Sequence, residues 1–295
     1  MRCLILMTIF PALLAAIDLH IDHVTVAGAN LQQMQAALTA IGIPSVYGGA
    51  HSTGATEMAL VSFPDGSYLE LIALRAGAPP AAVDQNPWAR HLRGNAGPTA
   101  WAVRLDDLAG EVHRLKSAGI PVSLPERSGR QRPDGVHLEW ETSSVGTEPR
   151  GTFFPFLIHD FTPRDQRAFP QGKPLTQSFR GISRIVIAVH DLAASIQRYR
   201  KAYDLPAPLK LVDKEFAAQL AIFPSTPVVL AQPLGAGSWL NQRLADFGEA
   251  PCAFVLAAAR PGKFRIPSRS QWLTREISWF DAQKLGWRLG FESAP

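Results

Sequence analysis

Two residues of types that do chemistry sit inside stretches patterned as β-strands: His23 in "HIDHVTVAG" (residues 20–28) and Glu70 in "GSYLELIA" (residues 66–73). In the first stretch Ile21, His23, Thr25 and Ala27 alternate with Asp22, Val24 and Val26, so His23 shares a face with small and apolar residues. A histidine there has three uses: a metal ligand, a catalytic base, or a core residue whose ring is satisfied by a neighbouring carbonyl. His20 lies three residues away, which on a regular strand is the opposite face, so the two cannot clasp one ion. Any partner of His23 must come from elsewhere. Glu70 alternates with Tyr68 and Ile72, and a carboxylate among such neighbours needs a cation or hydrogen-bond donors; by itself a strand carboxylate is more commonly a surface group. His51, on a Gly-rich approach to a strand, and His159, near a strand end, are the other histidines within reach of this chemistry.

Other chemistries are excluded by what the chain lacks. It contains no GxSxG elbow, HExxH helix, P-loop or GxGxxG turn, and "GAGSWL" is a loop. Two cysteines, Cys3 and Cys252, support neither a disulfide framework nor a CxxC zinc site. The net charge of +4 is small for 295 residues. Its denser basic stretches, "RSGRQR" and the segment from Arg265 to Arg275, read as solvated loops, so no nucleic-acid partner is expected. The N-terminal "MRCLILMTIFPALLAA" is too short and Pro-interrupted for stable membrane insertion. Residues 1–16 fit an export signal with a thin basic region, and a periplasmic or secreted location is favoured over a cytoplasmic one with an upstream start.

The elements that position these residues recur. "HIDHVTVAGANLQQMQAAL", "PTAWAVRLDDLAGEVHRLKSAG" and "ISRIVIAVHDLAASIQRYRKAY" each run from a β-like stretch through a capping residue, Asn30, Asp107 or Asp191, into a helix-period segment. Leu31, Met34, Leu38 and Ile41 form one apolar stripe; Leu108, Val112 and Leu115, then Leu192, Ile196 and Tyr199, form two more. Strand-like stretches follow each helix, with "FPDGSY" as a hairpin turn. The unit is β-α-β-β-β, and a fourth, less regular copy begins near Cys252. Residues 161–179 have the Pro and polar content of a linker between residues 19–160 and residues 180–295.

On "DHVTVAGANL", "GGAHSTGATEMAL", "GSYLELIA", "GTFFPFLI" after "PDGVHLEWE", and "LGWRLGFE", the chain resembles the vicinal oxygen chelate superfamily and its glyoxalase-like domain proteins over roughly residues 19 to 292. The resemblance implies an α+β fold of β-α-β-β-β modules paired into two half-open eight-stranded β-barrels. It implies a divalent metal (Zn, Fe, Mn or Ni) held by strand residues matching His23 and Glu70. Registering Gly66 on Gly151 sets Pro155 opposite Glu70, and His159 shares the strand parity of Pro155; with His51 on the approach to the third strand, either histidine completes a two-histidine, one-carboxylate set. The second module departs from the pattern, with Ala100 and Pro155 at the ligand positions; the third places Arg184 at the His23 position and has no acid to match Glu70. The implied function is a metal-assisted lyase or isomerase, or else an oxygenase, acting on a small substrate with adjacent oxygens. His23 and Glu70 would be catalytic, and Trp101, Phe153 and Arg184 would contact substrate. The alternative is a metal-free protein of the same fold that binds or sequesters a small ligand. Superfamily barrels form within or between chains, so a homodimer is compatible with the pattern.

Overall fold

The computed structural model describes residues 19–260 and 264–294; the export-signal segment lies outside them. The capping residues do what their positions predict. Asn30, Asp107 and Asp191 each accept a hydrogen bond from the backbone N–H three residues on, at 2.9, 2.8 and 3.0 Å, and so start α1 (Leu31–Ala40), α4 (Leu108–Ser117) and α6 (Leu192–Tyr203). The "FPDGSY" turn closes on Phe63, whose N–H donates to the Ser67 carbonyl at 2.9 Å. Gly66 within it has a φ of +82°, a conformation that side chains disfavour.

The first module comprises β1 (Ile21–Gly28), α1, β2 (Val46–Ala50), β3 (Thr56–Ser62) and β4 (Tyr68–Leu74). Two short helices, α2 (Pro80–Asp84) and α3 (Ala89–Arg93), lead to the second module: β5 (Gly97–Arg104), α4, β6 (Glu126–Gln131), β7 (His137–Ser143) and β8 (Phe156–Asp160). Their eight strands form one sheet in the order β2-β3-β4-β1-β5-β8-β7-β6. β1 and β5 pair antiparallel at its centre, and each pairs parallel with the last strand of its own module.

The second half repeats this plan with β9 (Phe179–Ala188), α6, β10 (Leu209–Asp213), β11 (Ala218–Ile222), β12 (Val228–Pro233), α7 (Trp239–Phe247), β13 (Pro251–Ala258), β14 (Ser268–Trp272), β15 (Arg275–Trp279), α8 (Ala282–Leu285) and β16 (Arg288–Ser293). The order β10-β11-β12-β9-β13-β16-β15-β14 is the same permutation. The molecule is thus two barrel-like eight-stranded sheets with a few helices, built from the repeated β-α-β-β-β unit and paired as the resemblance implies. Residues 161–179, read as a linker, carry α5 (Arg164–Ala168), and its Arg167 is buried. "RSGRQR" is mostly β6 rather than a solvated loop, and Arg130 within it is only 7% exposed. Among the described residues no helix is long and apolar enough to cross a membrane.

Strand alternation divides the packing. Val24, Val26, Leu69 and Leu71 face the helices, in a core that also takes in Phe179, Ile185, Tyr199 and Phe254 of the second half; the two sheets therefore share one apolar layer. Inside the first barrel, Ala27, Ile72, Ala100, Ala102, Phe156 and Ile158 form a separate cluster. The second barrel is filled by Phe216, Trp272, Trp279 and their aliphatic neighbours.

Candidate functional site

His23, Thr25 and Ala27 of β1 stand beside Tyr68, Glu70 and Ile72 of β4 in parallel register, all on the inner face of the first barrel. A β-bulge in β1, between Ile21 and His23, leaves Asp22 as an extra residue opposite β5. It sets the Asp22 carboxylate against the Nδ1 of its own neighbour, His23, at 2.5 Å, a contact that regular alternation forbids. Asp22 is fully buried and also binds Arg164 and Arg167 of α5. Burial alone would raise its pKa; the two guanidiniums and the His23 ring outweigh that and hold the carboxyl well below the usual carboxylate range. An ionised Asp22 only accepts, so His23 carries its proton on Nδ1 and presents Nε2 to the cavity.

The Nε2 of His23 lies 3.8 Å from Glu70 Oε2, and His51 Nε2 lies 3.5 Å from the other oxygen. His51 Nδ1 is taken by Thr56 Oγ1 at 2.8 Å, and the Thr25 hydroxyl donates to Glu70 Oε2 at 3.2 Å. Burial would raise the Glu70 pKa, but His51, His23 and Arg130 bring it down to about 2. The His23 ring stacks on Tyr68, centroids 4.8 Å apart, and meets the Phe156 ring edge-on.

These side chains line a cavity of about 190 Å³. Across it stand Arg130 of β6, Trp140 and Thr142 of β7, and Phe156 and Ile158 of β8; Trp88, Arg150 and Arg167 complete its wall. Arg130 donates to the Gly48 carbonyl at 2.5 Å and forms no ion pair among the described residues. Arg150 is loosely paired, 3.6 Å from the exposed Glu126.

His23, Glu70 and His51 are therefore brought together as the sequence predicts. The remaining candidates are not. His159 points away, with Nδ1 2.9 Å from the Leu105 carbonyl. Phe156 and Ile158 face the cavity, so residue 159 faces outward; β8 begins only at Phe156, and a parity counted from Gly151 slips by one. The same slip moves the position matching Glu70 from Pro155 to Phe156, which pairs with Ala102 as Glu70 pairs with Thr25. Trp101 and Phe153 are fully buried in the helix-facing core, away from the cavity. Arg184 pairs with Glu292 at 2.9 Å and opens onto a separate surface cleft of about 490 Å³ that contains neither His23 nor Glu70. Asp22, Arg130, Arg150, Arg167, Trp88 and Trp140 were not singled out as site residues from the sequence. The bulge has no local signature there, and α5 lies within the supposed linker.

The metal that the resemblance implies can be tested on these donors. Two imidazoles with Nδ1 occupied and Nε2 turned to one carboxylate are the right residue types. The two rings approach different oxygens of Glu70, at 3.8 and 3.5 Å; among the described residues no group of three or more His, Cys, Asp or Glu side chains could hold an ion, and the second module offers Ala100 and Phe156 opposite. The set as arranged does not fit a resident metal.

Residues 21–203 match the model of a glyoxalase-like domain family. No curated protein matches the sequence. Among solved structures, a hypothetical protein from Staphylococcus aureus superposes with a TM-score of 0.65 at 12% identity, covering 93% of this chain and 99% of that one. A mutant of 4-hydroxymandelate synthase from Streptomyces coelicolor gives a TM-score of 0.60 at 12% identity over 94% of this chain and 93% of that one. At these identities the likeness is one of fold.

Proposed function

The chain belongs to the glyoxalase-like domain family, and on that premise we propose that its first barrel is the active site of a lyase or isomerase acting on a small substrate with adjacent oxygens. One observation carries this: His23 is backed by the ionised Asp22 on Nδ1 and turns Nε2 to the cavity beside Glu70 and His51. The carboxylate behind it makes His23 the proton acceptor. In the proposed step a C–H bond next to a carbonyl breaks, its proton goes to His23 Nε2, and the electron pair moves to the carbonyl oxygen. Asp22 and Glu70 stabilise the imidazolium that forms. His51, half-exposed at the rim, is placed to hand a proton to that oxygen or to the neighbouring carbon. Glu70 is too acidic to be the base itself; its charge acts on the two rings. No step is routed through a metal.

The test is proton NMR of solvent-deuterium exchange at the carbon next to the carbonyl in a panel of 2-oxo acids, 2-oxo aldehydes and 2-hydroxy ketones, with and without added Zn, Fe, Mn or Ni. Exchange that disappears in His23→Ala supports the reading; absence of exchange across the panel refutes it. A metal-free binding protein is the second reading, favoured by the apolar Ala100 and Phe156 where a second pair of ligands would stand, and ligand binding without exchange would establish it.

A further inference from the structure

Arg130 is the one buried residue of β6, on a strand whose other side chains are exposed or half-exposed. Burying a guanidinium is costly unless its donors are matched. Here one nitrogen reaches the Gly48 carbonyl and no carboxylate comes within ion-pair distance of the group among the described residues; Tyr68 and Glu70 act on it favourably from across the cavity, while the nearby Arg167 and Arg132 add charge of the same sign. Arg167 has its own acceptors in Asp22 and Asp160; Arg130 has the cavity. Arg150 stands on the same lining, and among the described residues Glu70 is the only carboxylate there, engaged with the histidines. The rest of the wall offers flat rings: Trp88, Trp140, Phe156 and Tyr68.

We propose that the first barrel selects small aromatic carboxylates, the acid group paired with Arg130 and assisted by Arg150, and the ring held among Trp88, Trp140 and Phe156. This rests on the first barrel being the substrate site and names the class of molecule it takes. A guanidinium gives a carboxylate two parallel charge-assisted hydrogen bonds, which a neutral amide of the same shape cannot reproduce. The ring is held by area and by edge or face contacts. A cavity of about 190 Å³ suits one ring with a short acid chain and not a drug-sized ligand.

The experiment is calorimetric titration of the protein with phenylacetate and with phenylacetamide, which share a ring and differ in charge. Wild type should bind the acid at least roughly tenfold more tightly than the amide. Arg130→Gln should remove that preference and leave amide affinity within about twofold; Arg130→Lys, which keeps the charge and loses the fork, should retain part of it. Near-ultraviolet circular dichroism establishes that the variants are folded, and Arg150→Gln, at a half-exposed position, gives an independent smaller loss if Arg130→Gln is not. Equal affinity for acid and amide, no binding of either, or an undiminished preference when both arginines are replaced would overturn the proposal. Binding is read without turnover, so acid selectivity without deuterium exchange sinks the lyase or isomerase reading alone, and exchange without acid selectivity sinks this one alone.

Discussion

Asp22 and His23, adjacent in the chain, are hydrogen-bonded to each other through their side chains inside the first barrel. A strand normally sends neighbours to opposite faces; the bulge in β1 supplies the exception. The pair is locked from behind by Arg164 and Arg167, which arrive from α5, more than a hundred residues later in the chain. The segment between the two barrels is thus part of the machinery that orients His23.

Removing the Asp22 charge leaves two guanidiniums facing a buried site with one carboxylate fewer. Asp22→Asn should therefore lower stability by about 3–5 kcal/mol at pH 7, read by urea unfolding. It should also move the His23 Nδ1–H resonance in proton NMR. A loss under about 1 kcal/mol, the range of a surface ion pair, would show that this network does not hold the fold.

Glu70 makes a prediction about acid. Its pKa falls from an unfolded value near 4.5 to about 2 in the fold, so its contribution is fully present above about pH 4.5 and is lost as pH drops towards 2. The shift corresponds to roughly 3 kcal/mol. Glu70→Gln should be less stable than wild type by about that amount at pH 7, and the gap should close as pH falls to 2. A gap that is constant across the range would mean that the charge of Glu70 is not what the histidines stabilise.

Much of this was legible in the residues. The caps Asn30, Asp107 and Asp191, the stripes behind them and the strand alternation around Glu70 are local patterns, and local patterns recover the β-α-β-β-β unit. His23 and Glu70 come together because β1 and β4 alternate in regular register from residue 23 onwards, and His51 joins them from the turn between β2 and β3, held by Thr56. Two of the misplacements, His159 and Pro155, share one cause. Both were placed by counting alternation through a turn, and one extra residue there inverts every face beyond it. Arg130 was hidden for a different reason: an arginine among polar neighbours looks solvated until β7 and the opposite wall are in place to bury it.

The second barrel tests whether filling replaces function. Phe216 and Trp279 lie with ring centroids 5.1 Å apart, Trp272 is 5.7 Å from Trp279, and the Trp279 indole donates to Ser270. Trp279→Ala should cost about 3–5 kcal/mol through lost contacts and a cavity, while phenylacetate affinity in the first barrel stays unchanged. Weakened binding in a folded variant would mean that the halves are coupled through their shared core.

His91 gives the last prediction. It lies on α3, buried to 2% exposure, stacked on Phe247 of α7 with centroids 5.3 Å apart, and neither ring nitrogen has a hydrogen-bond partner among the described residues. Burial, with Arg243 and Arg90 nearby, lowers its pKa from 6.5 to about 4. Protons therefore bind the unfolded chain more readily between those values. The neutral ring costs nothing above about pH 6.5, and stability falls as pH drops from there to about 4, by roughly 2 kcal/mol at pH 5. His91→Phe keeps the stacked ring and removes the titration. The variant should match or exceed wild type at pH 7, and at pH 5 its advantage should grow by about 2 kcal/mol, measured by urea unfolding at both values. An unchanged difference would show that His91 finds a proton acceptor on protonation, and the contact between α3 and α7 would then be insensitive to acid.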